Sequence, residues 1–395
     1  MCAKGQGSLT PATTAQTRAR RAVAVAGAGI GGLTAALTLA EKRFHVVLHE
    51  KAEALEEAGA GIQLSPNATR ILIGLGLEQE VAARAVTPDG ISIRNARSGR
   101  EIVRIPLGAF AQAHYGAPYW IVHRADLQAA LLAHVRAHPD IDLRLGSAYS
   151  DSIHPGMPLI GADGVWSRVR QQLFGGPPAT FSGHVAWRGT LDAAALPRDI
   201  APGSIALWLG QAAHLVVYPV RSGTLVNVVA IVEGQWEQQG WNAPGEAAEI
   251  AAAFDPRRWS GAARDLIGAI ETWRKWALFS VSHTQWARGD VALIGDAAHA
   301  MLPFAAQGAA MAIEDAAVLA DCLGQSPDDA SGAFQRYALL RRSRIALVKR
   351  TTWQSGLIYH LPPPVSLARN LVMTLLGGER LLAQRDAIYR WRLTP

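Results

Sequence analysis

One stretch near the N-terminus limits the folds open to this chain. Ala22-Val-Ala-Val-Ala26 is a short apolar run, and Gly27-Ala-Gly29-Ile-Gly-Gly32 follows it without a gap. Leu33 to Glu41 then reads as a helix, and His45-Val-Val-Leu-His-Glu50 is a second apolar run ending in an acid. This is a predicted βαβ unit with G-x-G-x-x-G at its first turn. Gly27 allows the tight turn, Gly29 lets backbone approach a pyrophosphate, and Gly32 lets helix and strand pack closely. Glu50 stands where an acid can take a pair of ribose hydroxyls, although a solvated strand-end acid has the same signature. Six residues of pattern are weak alone, and the strand–turn–helix setting is what makes them specific.

A second strand-turn-helix joint lies over two hundred residues later. Val291 to Ile294 suits a buried parallel strand, Gly295-Asp296 ends it, and a small-residue helix follows a turn at Pro303 to Gly308. An acid there suits a sugar hydroxyl beside a phosphate, or is an ordinary joint. Between the two, Pro158 to Gly164 is another strand, ending in Asp163-Gly164. Thr87 to Ile105 alternates apolar and polar residues around Ser98-Gly99, and His184 to Val232 is rich in strand-like segments with a hairpin signal at Arg221-Ser-Gly223. Gly59 and Gly61 lie in a loop where backbone can come near a flat ligand. Arg124 opens an amphipathic helix, where it serves a phosphate, a ring edge or a surface pair.

The predicted fold class is α/β: a Rossmann-like nucleotide-binding domain with an inserted antiparallel β-sheet substrate domain and C-terminal helices. Residues 1–21 are expected to be a disordered tail. The nucleotide-binding domain takes 22–86, 119–180 and 283–345, the substrate domain 87–118 and 181–282, and the C-terminal helical segment 346–395.

The net charge of +6 raises the question of a polyanion partner. The basic residues are scattered and no recognition motif accompanies them, so nucleic acid is not expected. Only Cys2 and Cys322 are present, which excludes a disulfide framework and a cysteine metal site and suits a reducing, cytoplasmic setting. Arg18, Arg20 and Arg21 before Ala22–Ala26 imitate an export signal, but glycines interrupt the run at once. No membrane span is expected, since an unbroken run of about 18 apolar residues is missing.

The fingerprint at Gly27–Gly32, Asp163-Gly164 and Gly295-Asp296 stand in an order that resembles the class A FAD-dependent aromatic hydroxylases, the para-hydroxybenzoate hydroxylase type. Gly59-Ala-Gly-Ile-Gln-Leu-Ser-Pro-Asn67, Val122-His-Arg-Ala-Asp-Leu127, Ala306-Gln-Gly-Ala309 and Ile313-Glu-Asp315 look like the salicylate hydroxylase and 6-hydroxynicotinate 3-monooxygenase branch. The likeness spans roughly residues 22–395. It implies FAD as cofactor, with Gly27, Gly29 and Gly32 at its pyrophosphate and Glu50 at the adenosine ribose. Arg124 would approach the pyrophosphate, Asp163 would serve both FAD and the nicotinamide coenzyme, and Asp296 would bind the ribityl chain. Gln63 would belong to the cofactor site, Pro303 would line the flavin, and backbone from Gln307 through Gly308 to Ala309 would face its pyrimidine edge.

The resemblance further implies that NADH or NADPH binds only transiently, which agrees with the lack of a second fingerprint. Molecular oxygen would form a flavin hydroperoxide that hydroxylates a small hydroxyaryl, salicylate-like acid; a homodimer is common in the family. A flavin-dependent reductase of the geranylgeranyl reductase type shares the first and last motifs and is the alternative. Two departures stand out. The chain between Gly146 and Pro158 is about one β-hairpin shorter than the family pattern. The glutamine of 3-hydroxybenzoate 6-hydroxylases is replaced by Pro303, which weakens that substrate assignment.

His214 and Tyr218 are the candidate catalytic pair. They lie four apart in His214-Leu-Val-Val-Tyr-Pro219, and even spacing puts both on one face of a strand. A surface histidine and a rim tyrosine would show the same pattern. The branch carries His-x-x-x-Tyr at the matching strand, which implies His214 as the base for the substrate phenol and Tyr218 as its orienting hydroxyl.

Overall fold

The computed structural model describes residues 21–55, 61–149, 156–197, 200–201, 203–238 and 240–393. All of the expected tail but Arg21, Gly59, and the centre of the shortened stretch after Gly146 lie outside the described residues.

The Ala22–Ala26 strand is the middle of a six-stranded sheet. Its order is Ala287–Arg288, Val291–Leu293, Leu159–Gly161, Ala22–Ala26, His45–His49 and Ile141–Arg144. All neighbours run parallel except the first pair. The runs lack polar alternation because both faces are covered: Val25, Val46 and Leu48 are fully buried. Helix Ile30–Glu41 packs against helix Gly308–Gln325. Small residues permit that approach, since a Cβ at Gly31 would come within 3.2 Å of the Ala312 Cβ.

An eight-stranded sheet forms the second layer. Its order is Asn242–Gly245, Trp273–Ser280, Thr180–Asp192, Leu225–Glu233, Ala213–Val220, Ile205–Gly210, Gly90–Asn95 and Glu101–Pro106. One pair departs from the expected antiparallel pattern: Ile205–Gly210 and Gly90–Asn95 are parallel. The connection between them is over a hundred residues long and passes through the first sheet, so no hairpin constrains their direction. One face of this sheet packs on helices Ala247–Ala253 and Gly261–Gly268, through Trp187, Trp208 and Val228 on the strand side. The other face looks toward the first domain.

A single helix, Ala330–Tyr359, runs through the boundary expected at 345/346. Helix Val365–Ala383 then lies on the Glu101–Pro106 strand, so closely that a Cβ at Gly378 would sit 1.9 Å from the Arg104 carbonyl oxygen. Among the described residues no helix is long and apolar enough to cross a membrane.

Candidate active site

Glycine geometry builds the cofactor end of the site. Gly27 has φ +102°, and a Cβ there would meet the Ala162 carbonyl oxygen at 2.6 Å. A Cβ at Gly32 would meet the Gly27 carbonyl oxygen at 1.8 Å, so this position holds the turn against its helix. Gly29 differs: a Cβ would meet nothing within 4 Å, because it would stand in a cavity of about 470 Å³. No side chain caps helix Ile30–Glu41, whose first N–H groups therefore remain for an anion. This open cradle fits a pyrophosphate.

The acids are set around that cradle. Glu50 accepts from the N–H of Ala28 at 2.8 Å and of Ala52 at 3.0 Å, closing the fingerprint loop, and each oxygen keeps a further lone pair. Asp163 lies behind the cavity wall formed by its neighbours Ala162 and Gly164. Its Oδ2 accepts from Arg168 N–H at 2.7 Å and Val169 N–H at 3.2 Å, while Oδ1 is buried with no hydrogen-bond partner among the described residues. Asp296 is exposed, follows Gly295 at φ +59°, and lines the cavity. Gln63, Arg124, Pro303, Gly308 and Ala309 also line it. The side chain of Gln307 does not: it donates to Ser65 Oγ at 2.9 Å and accepts from Asn67 Nδ2 at 3.3 Å. Only its backbone remains for a ligand.

A buried ionic network fixes this shelf. Asp315 accepts from Gly295 N–H at 2.9 Å, lies 2.6 Å from His299 Nε2, and accepts from Arg341 Nε at 2.6 Å. Glu314 accepts from Arg341, Arg344 and Asn67. The turn before Asp296, the start of helix Pro66–Gly74 and helix Ala330–Tyr359 are thereby joined. Burial alone would raise the Asp315 carboxyl, but His299 and Arg341 outweigh it and hold it at about 2.

The large sheet supplies the opposite wall. Strand register puts His214 beside Ile231, Val216 beside Val229, and Tyr218 beside Asn227. Across the next pair Ile231 meets Ala186, and Val229 meets Arg188. Alternation therefore places His214, Val216, Tyr218 and Arg188 on one face, and all four line the cavity with Ile93 and Leu207.

His214 is 1% exposed, and its Nδ1 lies 2.8 Å from Nε2 of His360. Burial, with His360 and His184 adding to it, lowers its pKa well below the ordinary histidine value. Tyr218 donates to the Gly61 carbonyl at 2.8 Å and is pushed up to about 12 by burial, against the pull of Arg188. Its proton is thus committed to backbone, and its oxygen faces a ligand as an acceptor only.

Sequence reasoning missed Arg188 and His360. Arg188 sits over Trp276 at 5.2 Å, and its Nε is buried without a partner among the described residues. A basic residue at an even position of the His184–Thr190 strand, among residues otherwise suited to a core face, was the available signal. No local signal marks His360, which reaches His214 from 146 residues away.

Comparisons with known proteins identify the family. The family model described as an FAD binding domain matches residues 20–154 and 158–345. The chain is 39% identical over 360 residues to 3-amino-4-hydroxybenzoate 2-monooxygenase PtnB3 of Streptomyces platensis, covering 87% of this chain and 89% of that one. It is 34% identical over 392 residues to 3-hydroxybenzoate 6-hydroxylase of Klebsiella oxytoca, covering 93% and 96%. A solved salicylate hydroxylase substrate complex superposes with a TM-score of 0.77 at 25% identity, covering 94% of this chain and 96% of that one.

Proposed function

This chain belongs to the FAD-dependent aromatic hydroxylases, and from that premise we propose that it hydroxylates a small hydroxyaryl carboxylic acid, using NADH or NADPH and molecular oxygen. The observation that carries the substrate class is the buried Arg188 guanidinium beside His214 and Tyr218 on an otherwise apolar wall. A desolvated cation needs an anionic partner, and a carboxylate meets an arginine in two parallel hydrogen bonds. The relatives named above act on aromatic rings bearing a hydroxyl and a carboxylate, which supports the same reading. In it, residues 22–86, 119–180 and 283–345 hold the cofactor, while 87–118 and 181–282 cover the substrate.

When bound, FAD takes reducing equivalents from the coenzyme and supplies activated oxygen to the ring. The chain's own residues do the rest. The fingerprint glycines receive the pyrophosphate, Glu50 the adenosine ribose and Asp296 the ribityl chain. Arg124 would approach the pyrophosphate, Gln63 and Pro303 line the cofactor site, and backbone from Gln307 to Ala309 would face the flavin's pyrimidine edge. Asp163 fixes the start of helix Arg168–Phe174 behind the cofactor site through the N–H groups of Arg168 and Val169. Arg188 fixes the substrate carboxylate. His214 stays neutral down to acid pH, so its free nitrogen accepts the substrate hydroxyl proton and makes the ring more electron-rich. Tyr218, whose own proton is held by the Gly61 carbonyl, lines the same face and orients the substrate ring by contact. The apolar wall excludes water.

A panel of hydroxybenzoates, aminohydroxybenzoates and hydroxynicotinates, scored as product formed per NAD(P)H oxidised, tests the assignment. The reading expects at least one acid to give near one product per coenzyme. Coenzyme oxidation without hydroxylated product across the panel contradicts it.

A further inference from the structure

We infer that His360, with His184 and Glu233, forms a proton exit, so that the proton His214 takes from the substrate leaves the closed chamber through His360 to the protein rim. The inference rests on the reading of His214 as the base.

The starting point is a problem of charge. His214 is shut off from solvent, and among the described residues no carboxylate contacts it to hold an imidazolium there. A proton taken from the substrate is costly to keep in such a place. The contact of Nδ1 with His360 Nε2 at 2.8 Å sets the tautomers. For Nε2 of His214 to accept from the substrate, its Nδ1 must carry hydrogen and donate it to His360 Nε2. His360 must then carry its own hydrogen on Nδ1.

The chain continues outward. His360 is the C-cap of helix Ala330–Tyr359 and is half-buried. The His184 ring stacks on it, with centroids 5.8 Å apart and planes 20° apart. His184 Nδ1 lies 3.0 Å from the Ser182 carbonyl oxygen, which can only accept, so His184 Nε2 is left as an acceptor. Glu233 pairs with His184 across the strands and is exposed. Ligand atoms of His184, Glu233 and His360 lie within 4.8 Å of one another, a span that one water can bridge. The other ionisable groups near the pair are Tyr359, edge-on to His214, and Arg369, whose guanidinium donates to the Ile358 and Tyr359 carbonyls. Burial, with His184 and Arg369 adding to it, disfavours a lasting charge on His360, which passes the proton on.

The step balances. The substrate O–H bond breaks and an N–H bond forms at His214 Nε2. The Nδ1 proton moves to His360 Nε2, and the Nδ1 proton of His360 leaves to the rim. No electrons are exchanged and both rings end neutral. Reprotonation of the product oxygen runs the chain backward and restores both tautomers.

His360→Gln tests this in the FAD-loaded enzyme, since glutamine can accept from His214 but cannot hand a proton on. The measurement is the rise of the phenolate absorption band when substrate is mixed anaerobically with the oxidised holoenzyme, followed across pH. The inference expects normal FAD content, near-normal substrate affinity, and phenolate formation slowed tenfold or more, with partial rescue by added imidazole. An unchanged rate and pH profile overturns it. His214→Ala separates the two claims. If it leaves the phenolate band intact, the base assignment falls. If it removes the band while His360→Gln changes nothing, only the exit falls. Should His360→Gln lose its flavin, His184→Gln decides: slowed phenolate formation supports the exit and an unchanged rate overturns it. Two imidazoles and a carboxylate are also a metal-ligand set. A stoichiometric transition metal in the purified enzyme, occupying His360, would overturn the exit as well.

Discussion

Arg188 and Asp315 show how single buried charges divide the work of this site. Arg188 lines the chamber and no carboxylate pairs with it among the described residues, so its charge is available to a ligand. Arg188→Met keeps the bulk and removes the cation. The substrate Kd should rise by roughly thirtyfold, about 2 kcal/mol for a hydrogen bond to a charged group, with FAD content unchanged. Titration of the flavin spectrum with substrate measures it, and an unaltered Kd would remove Arg188 from substrate binding. Asp315 is fully partnered, so its charge serves the fold. Asp315→Asn breaks a buried ionic network and should cost about 3–5 kcal/mol in denaturant unfolding. The wild-type contribution has a defined pH window. A carboxyl held at about 2 in the fold and near its ordinary value when unfolded stabilises fully above about pH 4, and loses this as pH falls toward 2. Asp296→Ala should purify with markedly less FAD, because a charge-assisted hydrogen bond to the cofactor goes with it. Full occupancy in that variant would contradict its assigned contact.

At the scale of elements, the Ala213–Val220 strand carries the substrate wall and makes it sensitive to acid. His214 is buried neutral, so its folded pKa lies below its unfolded value. The unfolded chain takes the proton first. Stability from this group is therefore present above about pH 6.5 and declines as pH falls below it. Parent protein should lose melting temperature between pH 6.5 and 5 more steeply than His214→Gln, and parallel curves would contradict that. The same strand meets the loop strand Gly61–Leu64 through one close approach. A Cβ at Gly61 would lie 2.3 Å from Tyr218 Cε2. Gly61→Ala should cost about 1–3 kcal/mol by overpacking and raise substrate Kd by displacing the Tyr218 ring. Period-two spacing made the shared face of His214 and Tyr218 legible in the sequence. The same spacing puts Arg188 on that face through Val229. His360 was beyond reach, because its position depends on how helix Ala330–Tyr359 docks across the chamber, and no local pattern encodes a contact 146 residues apart.

Across the whole molecule, two sheets are packed so that the fingerprint turn and the face bearing His214 and Arg188 line one cavity. The parallel sheet was legible because its fingerprint, Asp163-Gly164 and Gly295-Asp296 each follow a buried strand, and such strands have a short apolar signature. The parallel pairing of Ile205–Gly210 with Gly90–Asn95 was not, since pairing direction between distant strands leaves no trace in either. The single long helix across residue 345 was hidden for a related reason: a domain boundary is a property of packing, not of periodicity. The account stands on the claim that His214 and Arg188 together bind and activate a hydroxyaryl acid beside the flavin. The most direct test is the pH dependence of substrate ionisation in the oxidised holoenzyme, read from the bound ligand's absorbance. The account predicts that the bound phenol ionises at a pH well below the free phenol's own value, and that His214→Ala abolishes this while FAD stays bound. A bound substrate that remains a neutral phenol in the parent enzyme, or that ionises equally without His214, would contradict it.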